Sequence, residues 1–389
     1  MSHLPLLGGD SLDRWRLAAL RDSSVRLPLL RSSSSLLAPL PGASDAWRWA
    51  WVAPVVGAGI QGGMPRPSGD MPIWTGRGFN ALALGGVRVE RGRLRLVLAP
   101  TVAASTNTTY ALIPATPLGE ILAPPLPPDR SEFAAPWYTS PNSIDLPLRF
   151  GREGVGRLDP GQSALTLGVG AVEVGVATEN EWWGPGLRNA LVLSDNASGF
   201  PHLLLRSRRP WRTPLGFVEL RYLLGGLSES AYFDTLGTND VRSFSGLAVA
   251  VRPRGVAGLT VGASRVVYAP VSGWEDVPGR ALDVFRDTGR PSAVPASDST
   301  MLPGPDQLLS LFGQWVLPED GFEAYLELGR AEMPASIRDL LQFPNHTLGY
   351  VVGVQWARPV RDAASILRLQ LELTSTEQSP TYRNRPIGT

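Results

Sequence analysis

The 389-residue sequence contains no cysteine, which removes disulfides, zinc–thiolate sites and thiol nucleophiles together. It contains no lysine either, so all 36 basic residues are arginine. Arginine is suited to bidentate pairing with carboxylates, including those of acidic sugars. Only three histidines occur, His3, His202 and His346, and none forms the closely spaced pair of a zincin-like metal site. No G-x-S-x-G elbow surrounds any serine, so no local catalytic signature is present. Glycine runs such as GVGAVEVG lie in alternating segments with no helix after them, which excludes a phosphate cradle. The formal net charge is +1, too small for the basic field expected of a nucleic-acid binder. No window approaches the roughly 18 consecutive apolar residues of a membrane helix, so any membrane span has to be built from strands. The first basic residue is Arg14 and the apolar run Leu4 to Leu7 is too short for a signal core. For an exported protein, the expectation is a leader that lies ahead of this chain.

What is present is alternation. Leu82 and Leu84 lead through the turn at Glu90 to Arg93 into Leu94, Leu96 and Leu98. Leu165, Leu167 and Val169 turn at Gly170-Ala171 into Val172, Val174 and Val176, and Leu247 to Val251 turn at Pro253-Arg254-Gly255 into Leu259 to Ala263. Leu309 to Leu317 return through Pro318 to Gly321 as Phe322 to Leu328, with Glu323, Tyr325 and Glu327 expected on the inner face. In the last strand Leu367, Leu369, Leu371 and Leu373 form one face, and Arg368, Gln370, Glu372 and Thr374 the other. Such period-two patterns predict an all-β protein of hairpins. A soluble sandwich and a membrane barrel share the pattern, but strands of about ten residues favour the barrel. Trp47, Trp49 and Trp51 would point to one face, at the lipid boundary if the sheet is a barrel.

Two departures from β structure are expected at the front: a short amphipathic helix over Asp10 to Asp22, and a flexible connection through Ser32 to Ser35 and Pro39 to Ser44. Residues 1–40 therefore read as a helical segment with linker, and 41–389 as the β body. Long irregular stretches at Pro114 to Pro147 and Ala269 to Pro305 read as functional loops, with short helices expected at Gly279 to Arg286 and Ser336 to Leu341. The inward charges Glu323, Glu327, Arg330, Arg368 and Glu372 read as a structural network lining an interior.

The densest stretch runs from Thr178 to Pro210. Glu179, Asn180 and Glu181 precede Trp182 and Trp183, which meet Gly184-Pro185-Gly186, a triplet that continues neither strand nor helix. The indoles therefore sit at a corner. They are packing anchors, or, beside Glu, Asn and Arg, a surface on which a sugar's C–H face stacks while its hydroxyls hydrogen-bond. On the second reading the carbohydrate contacts are Glu181, Trp182, Trp183, Arg188, Asn189, Asn196 and Arg206.

The run ENEWWGPG followed by NALVLSDNASGFPHLLLRS resembles the signature of the Wzi-type capsule assembly family. TGRGFNALALGG (Thr75 to Gly86), SIDLPLRFG (Ser143 to Gly151), YFDTLGTNDVRSFSGLAV and DLLQFPNHTLGYVVGVQW extend the resemblance over most of the chain. The resemblance implies a large antiparallel transmembrane β-barrel of about eighteen strands in the bacterial outer membrane, with short helices plugging its periplasmic end. It implies a monomer without cofactor, metal or catalytic residues, which binds capsular or exopolysaccharide at the cell surface and meets the export machinery. A family barrel continues past Thr389 and ends in an aromatic residue, so open sheet edges are expected here. The alternatives are a porin-like channel, an outer-membrane hydrolase acting on lipid or polysaccharide, and a soluble sandwich adhesin.

Overall fold

Valine, leucine and aromatic residues at every second position make the strands, and the same period decides which face each side chain takes. The computed structural model describes residues 1–7, 10–63, 75–109, 153–228, 240–286, 305–331, 347–360 and 362–376. The Pro114 to Pro147 stretch, the Ser143 to Gly151 motif, the helix expected at Ser336 to Leu341, and His346 lie outside them. In chain order the first strands are β1 (Leu30–Ser32), β2 (Arg48–Gln61), β3 (Gly78–Arg91), β4 (Leu94–Leu98), β5 (Thr101–Ser105), β6 (Val155–Asp159) and β7 (Ala164–Val169). Then come β8 (Val172–Ala177), β9 (Glu181–Trp183), β10 (His202–Ser207), β11 (Trp211–Thr213), β12 (Gly216–Ser228) and β13 (Val241–Pro253). The last are β14 (Leu259–Val271), β15 (Asp306–Leu317), β16 (Phe322–Arg330), β17 (Leu348–Val360) and β18 (Asp362–Ser375).

Sixteen of these strands form one antiparallel sheet, while β1 and β9 pair with each other as a separate two-stranded ribbon. Along the sheet each strand line neighbours the next in sequence. Three lines are broken in two: β4 and β5 share β3, β6 and β7 run opposite them, and β10 and β11 share β12. The first two breaks fall at Ala99-Pro100 and Pro160-Gly161, where proline has no N–H to give the ladder. Thirteen lines result. The outer lines, β2 and β18, do not pair with each other among the described residues.

The turns at 92–93, 170–171, 254–258 and 318–321 all lie at one end of the sheet. The long connections 62–77, 106–154, 229–240, 272–305 and 331–347 all leave from the other end. A strict up-and-down meander makes this segregation automatic. The connection 178–201 also starts at the long end, but it folds back over one face of the sheet.

That face is the buried one, and beside an apolar cluster around Leu204, Leu223 and Phe244 it carries many charged and polar groups. On β16, Glu323, Tyr325 and Glu327 are buried to 3% exposure or less, as the alternation predicts. On β18, Leu369 and Leu371 are 59% and 66% exposed, and Trp47, Trp49 and Trp51 stand equally clear of the protein at the start of β2. The sheet is therefore inverted relative to a soluble sandwich, whose leucines would face inward.

The buried face is covered from the front of the chain. The helix α1 (Asp10–Ala19) ends three residues earlier than the sequence predicts. Ser2 bridges to Val52 of β2, Arg16 pairs with Glu323 of β16, and Asp13 with Arg368 of β18. A flat sheet of thirteen lines would be roughly 60 Å wide at ~4.8 Å per strand. Fourteen residues that include most of a helix, at ~1.5 Å rise per residue, reach β2 and β16 together only because the sheet curves round them. The expected flexible serine linker is instead a fixed element: Ser32, Ser33 and Ser34 are buried, in β1 and in the 3-10 turn Ser34–Leu36. The expected helix at Gly279 to Arg286 is two 3-10 turns, Trp274–Arg280 and Asp283–Phe285.

Candidate functional site: a buried charge network and an arginine-lined cavity

The tryptophan corner folds inward as β9, pairing Glu181, Trp182 and Trp183 with Ser32, Arg31 and Leu30. Because neighbours on a strand point to opposite sides, the two indoles separate. Trp182 packs on Leu7, Leu12 and Leu36 of the front segment, and Trp183 on Leu29, Leu30, Leu204, Leu223 and Phe244. Both are fully buried, so neither ring has a face left for a sugar. The sugar-contact expectation is corrected at these two positions, because packing uses the whole of each indole.

The carboxylates around them are held as firmly. Glu181 receives Arg221 through Nη1 at 2.6 and 2.8 Å and the Trp183 indole N–H at 3.1 Å. Glu179, with no exposed surface, accepts from the Ser32 hydroxyl at 2.9 Å and from the Ser34 amide at 2.6 Å. Arg206 donates to Glu173 at 2.6 Å and to the Ser32 and Ser34 hydroxyls at 2.9 and 3.0 Å. Asn180 and Gln162 exchange hydrogen bonds at 2.7 and 3.2 Å. Buried charge is tolerable only when paired and hydrogen-bonded in this way. Arg31 lies 4.9 Å from the Trp182 ring centre and donates to the carbonyls of Gly184 and Gly186 at 3.1 and 3.4 Å. Burial pushes its guanidinium down to about 9, with the nearby charge of Arg16 acting in the same direction.

Gly184-Pro185-Gly186 then turns the chain toward β16 and β18. Gly184 has φ +137, and a Cβ there would stand 2.6 Å from Glu327 Oε2, so the position takes only glycine. Beyond it, Glu372 accepts from the amides of Leu187, Arg188 and Asn189 at 2.6 to 3.1 Å and from the Tyr325 hydroxyl at 2.7 Å. Three successive N–H groups on one carboxylate make an anion nest closed by a residue of the sheet itself. Glu327 accepts from Ser310 at 2.7 Å and from the Leu191 amide at 3.3 Å. Arg16 joins in from α1, donating to Glu323 through Nε at 2.9 Å and also to the Pro185 carbonyl.

Of the seven sequence candidates, Glu181, Trp182, Trp183 and Arg206 are thus brought together inside the network. Asn189 is partly buried and bonds Thr374 at 3.0 Å. Arg188 and Asn196 present exposed side chains, with Arg188 3.2 Å from Asp13.

A cavity of about 1000 Å³ opens at the short-turn end, between residues 16–39 and the inner faces of ten strands from β2 to β16. Among the described residues, eleven arginines and six carboxylates line it, and no aromatic ring does. Of its arginines, sequence reasoning singled out only Arg206 as a site residue. Arg21 and Arg26 come from the α1–β1 connection and Arg93 from the β3–β4 turn, and no spacing marks the three as partners.

No family model matches the chain, and no curated protein matches it. Among solved structures, it is similar to Wzi of Escherichia coli, described as an outer membrane protein involved in group 1 capsule assembly and a carbohydrate-binding β-barrel. The identity is 11% and the TM-score 0.47, with 81% of this chain and 54% of that one covered. The chain thus spans about half the length of that protein.

Proposed function

We propose that this chain is a bacterial outer-membrane β-barrel with a plugged interior, which binds and retains capsular or exopolysaccharide at the cell surface without catalysis. The observation that carries the membrane part is the inverted sheet: exposed leucines and tryptophans on the outer face, and ion-paired glutamates and arginines on the inner one. Only a lipid surround makes that outer face favourable over thirteen strand lines. Residues 1–40 and 178–200 are the plug. The motif resemblance supplies the polysaccharide, and a filled interior suits a binder better than a channel.

On this reading the short-turn end is periplasmic and the long connections face outward. Glu181, Trp182, Trp183, Asn189 and Arg206 form the framework of the plug, and Arg188 and Asn196 are the motif's own contacts with glycan. Affinity accumulates along a repeating polymer from many weak contacts. The barrel acts as a monomer, beside the export machinery that delivers the polymer.

The test is to refold the protein in detergent, follow its mobility on unheated and boiled gels, and titrate it with the surface polysaccharide of its own cell. A heat-modifiable band with saturable polymer binding is expected. Folding in plain buffer would overturn the membrane reading. A folded barrel that conducts ions and binds no polymer would replace the lectin with a channel.

A further inference from the structure

The cavity at the short-turn end is not absorbed by the plug network, although the two share a wall. Four of its six carboxylates already have arginine partners: Glu323 with Arg16, Glu90 with Arg48 and Arg95, Glu173 with Arg206, and Glu219 with Arg252. The other two, Glu319 and Asp320, sit together on the 318–321 turn. The side chains of four exposed arginines on the lining, Arg21, Arg26, Arg93 and Arg209, have no carboxylate or hydrogen-bond partner among the described residues. The side chain of a fifth, Arg208, donates among the described residues only to the Gly170 carbonyl, at 3.2 Å. The cavity therefore carries positive charge that the protein does not neutralise.

Its shape and chemistry narrow the occupant. About 1000 Å³ stands at the top of the roughly 300–1,000 Å³ range of small-molecule sites and admits several linked units. Without an aromatic ring on the wall, a neutral sugar finds no stacking platform. Guanidinium forks instead match carboxylates, two hydrogen bonds at a time. The four unpartnered arginines come from the α1–β1 connection, the β3–β4 turn and the β10–β11 junction, so they approach the cavity from different sides. That spread suits charges repeated along a chain better than one compact anion.

We propose that this cavity binds a carboxylate-bearing glycan, held by Arg21, Arg26, Arg93 and Arg209. The glycan part rests on the function proposed above, and the anion part on the cavity alone.

The experiment is calorimetric titration of the full chain in detergent with tetragalacturonate, with maltotetraose as neutral control and inorganic phosphate as compact anion. The variants are Arg93→Gln with Arg209→Gln, and Arg21→Gln with Arg26→Gln. Arg254→Gln, an exposed arginine of the same end outside the lining, controls for charge alone. The expected result is saturable tetragalacturonate binding, weakened roughly tenfold by either double change. It should be untouched by Arg254→Gln and fade as salt shortens the screening length from ~10 Å at 0.1 M toward ~3 Å at 1 M. Unchanged binding in both double variants would overturn the site while leaving a glycan binder in place. Phosphate binding at the cavity with no displacement by tetragalacturonate would overturn the glycan assignment, as would equal binding of maltotetraose. A chain that folds without detergent would sink the membrane reading instead, and the arginine dependence is read the same way on that soluble protein.

Discussion

Tryptophan at 182 and at 183 looks equivalent in sequence, yet the two do different jobs. The Trp183 N–H donates to Glu181, whereas the buried Trp182 N–H has no partner among the described residues. Trp183→Phe should therefore cost about 1 kcal/mol more stability than Trp182→Phe, read from guanidinium unfolding in detergent. Glu372→Ala should cost ~2–4 kcal/mol in the same assay, because it strands the amides of Leu187 and Asn189 and the Tyr325 hydroxyl. A smaller loss than 1 kcal/mol would mean that the connection 184–191 is not anchored there. At this scale the sequence marked the right residues and left their role open. Glu, Trp, Asn and Arg at a corner have one chemistry, whether they bind a sugar or one another. Burial decides, and burial here depends on Ser32 and Ser34, which lie nearly 150 positions away and read locally as linker.

Among the elements, the hairpins were legible and their faces were half legible. Period two placed Glu323, Tyr325 and Glu327 together and Leu367 to Leu373 together. For the β18 strand it could not say which set met solvent, since that depends on whether water or lipid surrounds the sheet. Position 369 tests the answer. Leu369→Arg should cost ~2–4 kcal/mol in bilayers if it stands near the midplane, while the same change in a water-facing sheet would be close to neutral. Stability in lipid vesicles that is unaffected by this change would remove β18 from the lipid boundary. The breaks at Ala99-Pro100 and Pro160-Gly161 were not read from the sequence, because that they divide neighbouring lines side by side is a matter of cross-strand register, which has no local mark. The arginine cavity was least visible of all, being assembled from turns whose only shared feature is the end of the sheet at which they lie.

For the molecule as a whole, the front segment carries contacts with both borders of the sheet. Removing residues 1–40 should leave a sheet that no longer resists unfolding as a unit, with thermal transitions seen by tryptophan fluorescence becoming broad or split. A single sharp transition of unchanged midpoint would show that the sheet does not depend on the segment. The same contacts set an order of events. Arg16 is made well before its partner Glu323, 307 positions on. Contacts of such sequence separation form late and slowly, because the chain between them must first be ordered. The front of the chain must therefore wait, charged and unpartnered, until β16 and β18 arrive. Closing the network becomes a late step of assembly, and a chain arrested before it would leave exposed the arginines that the finished fold buries.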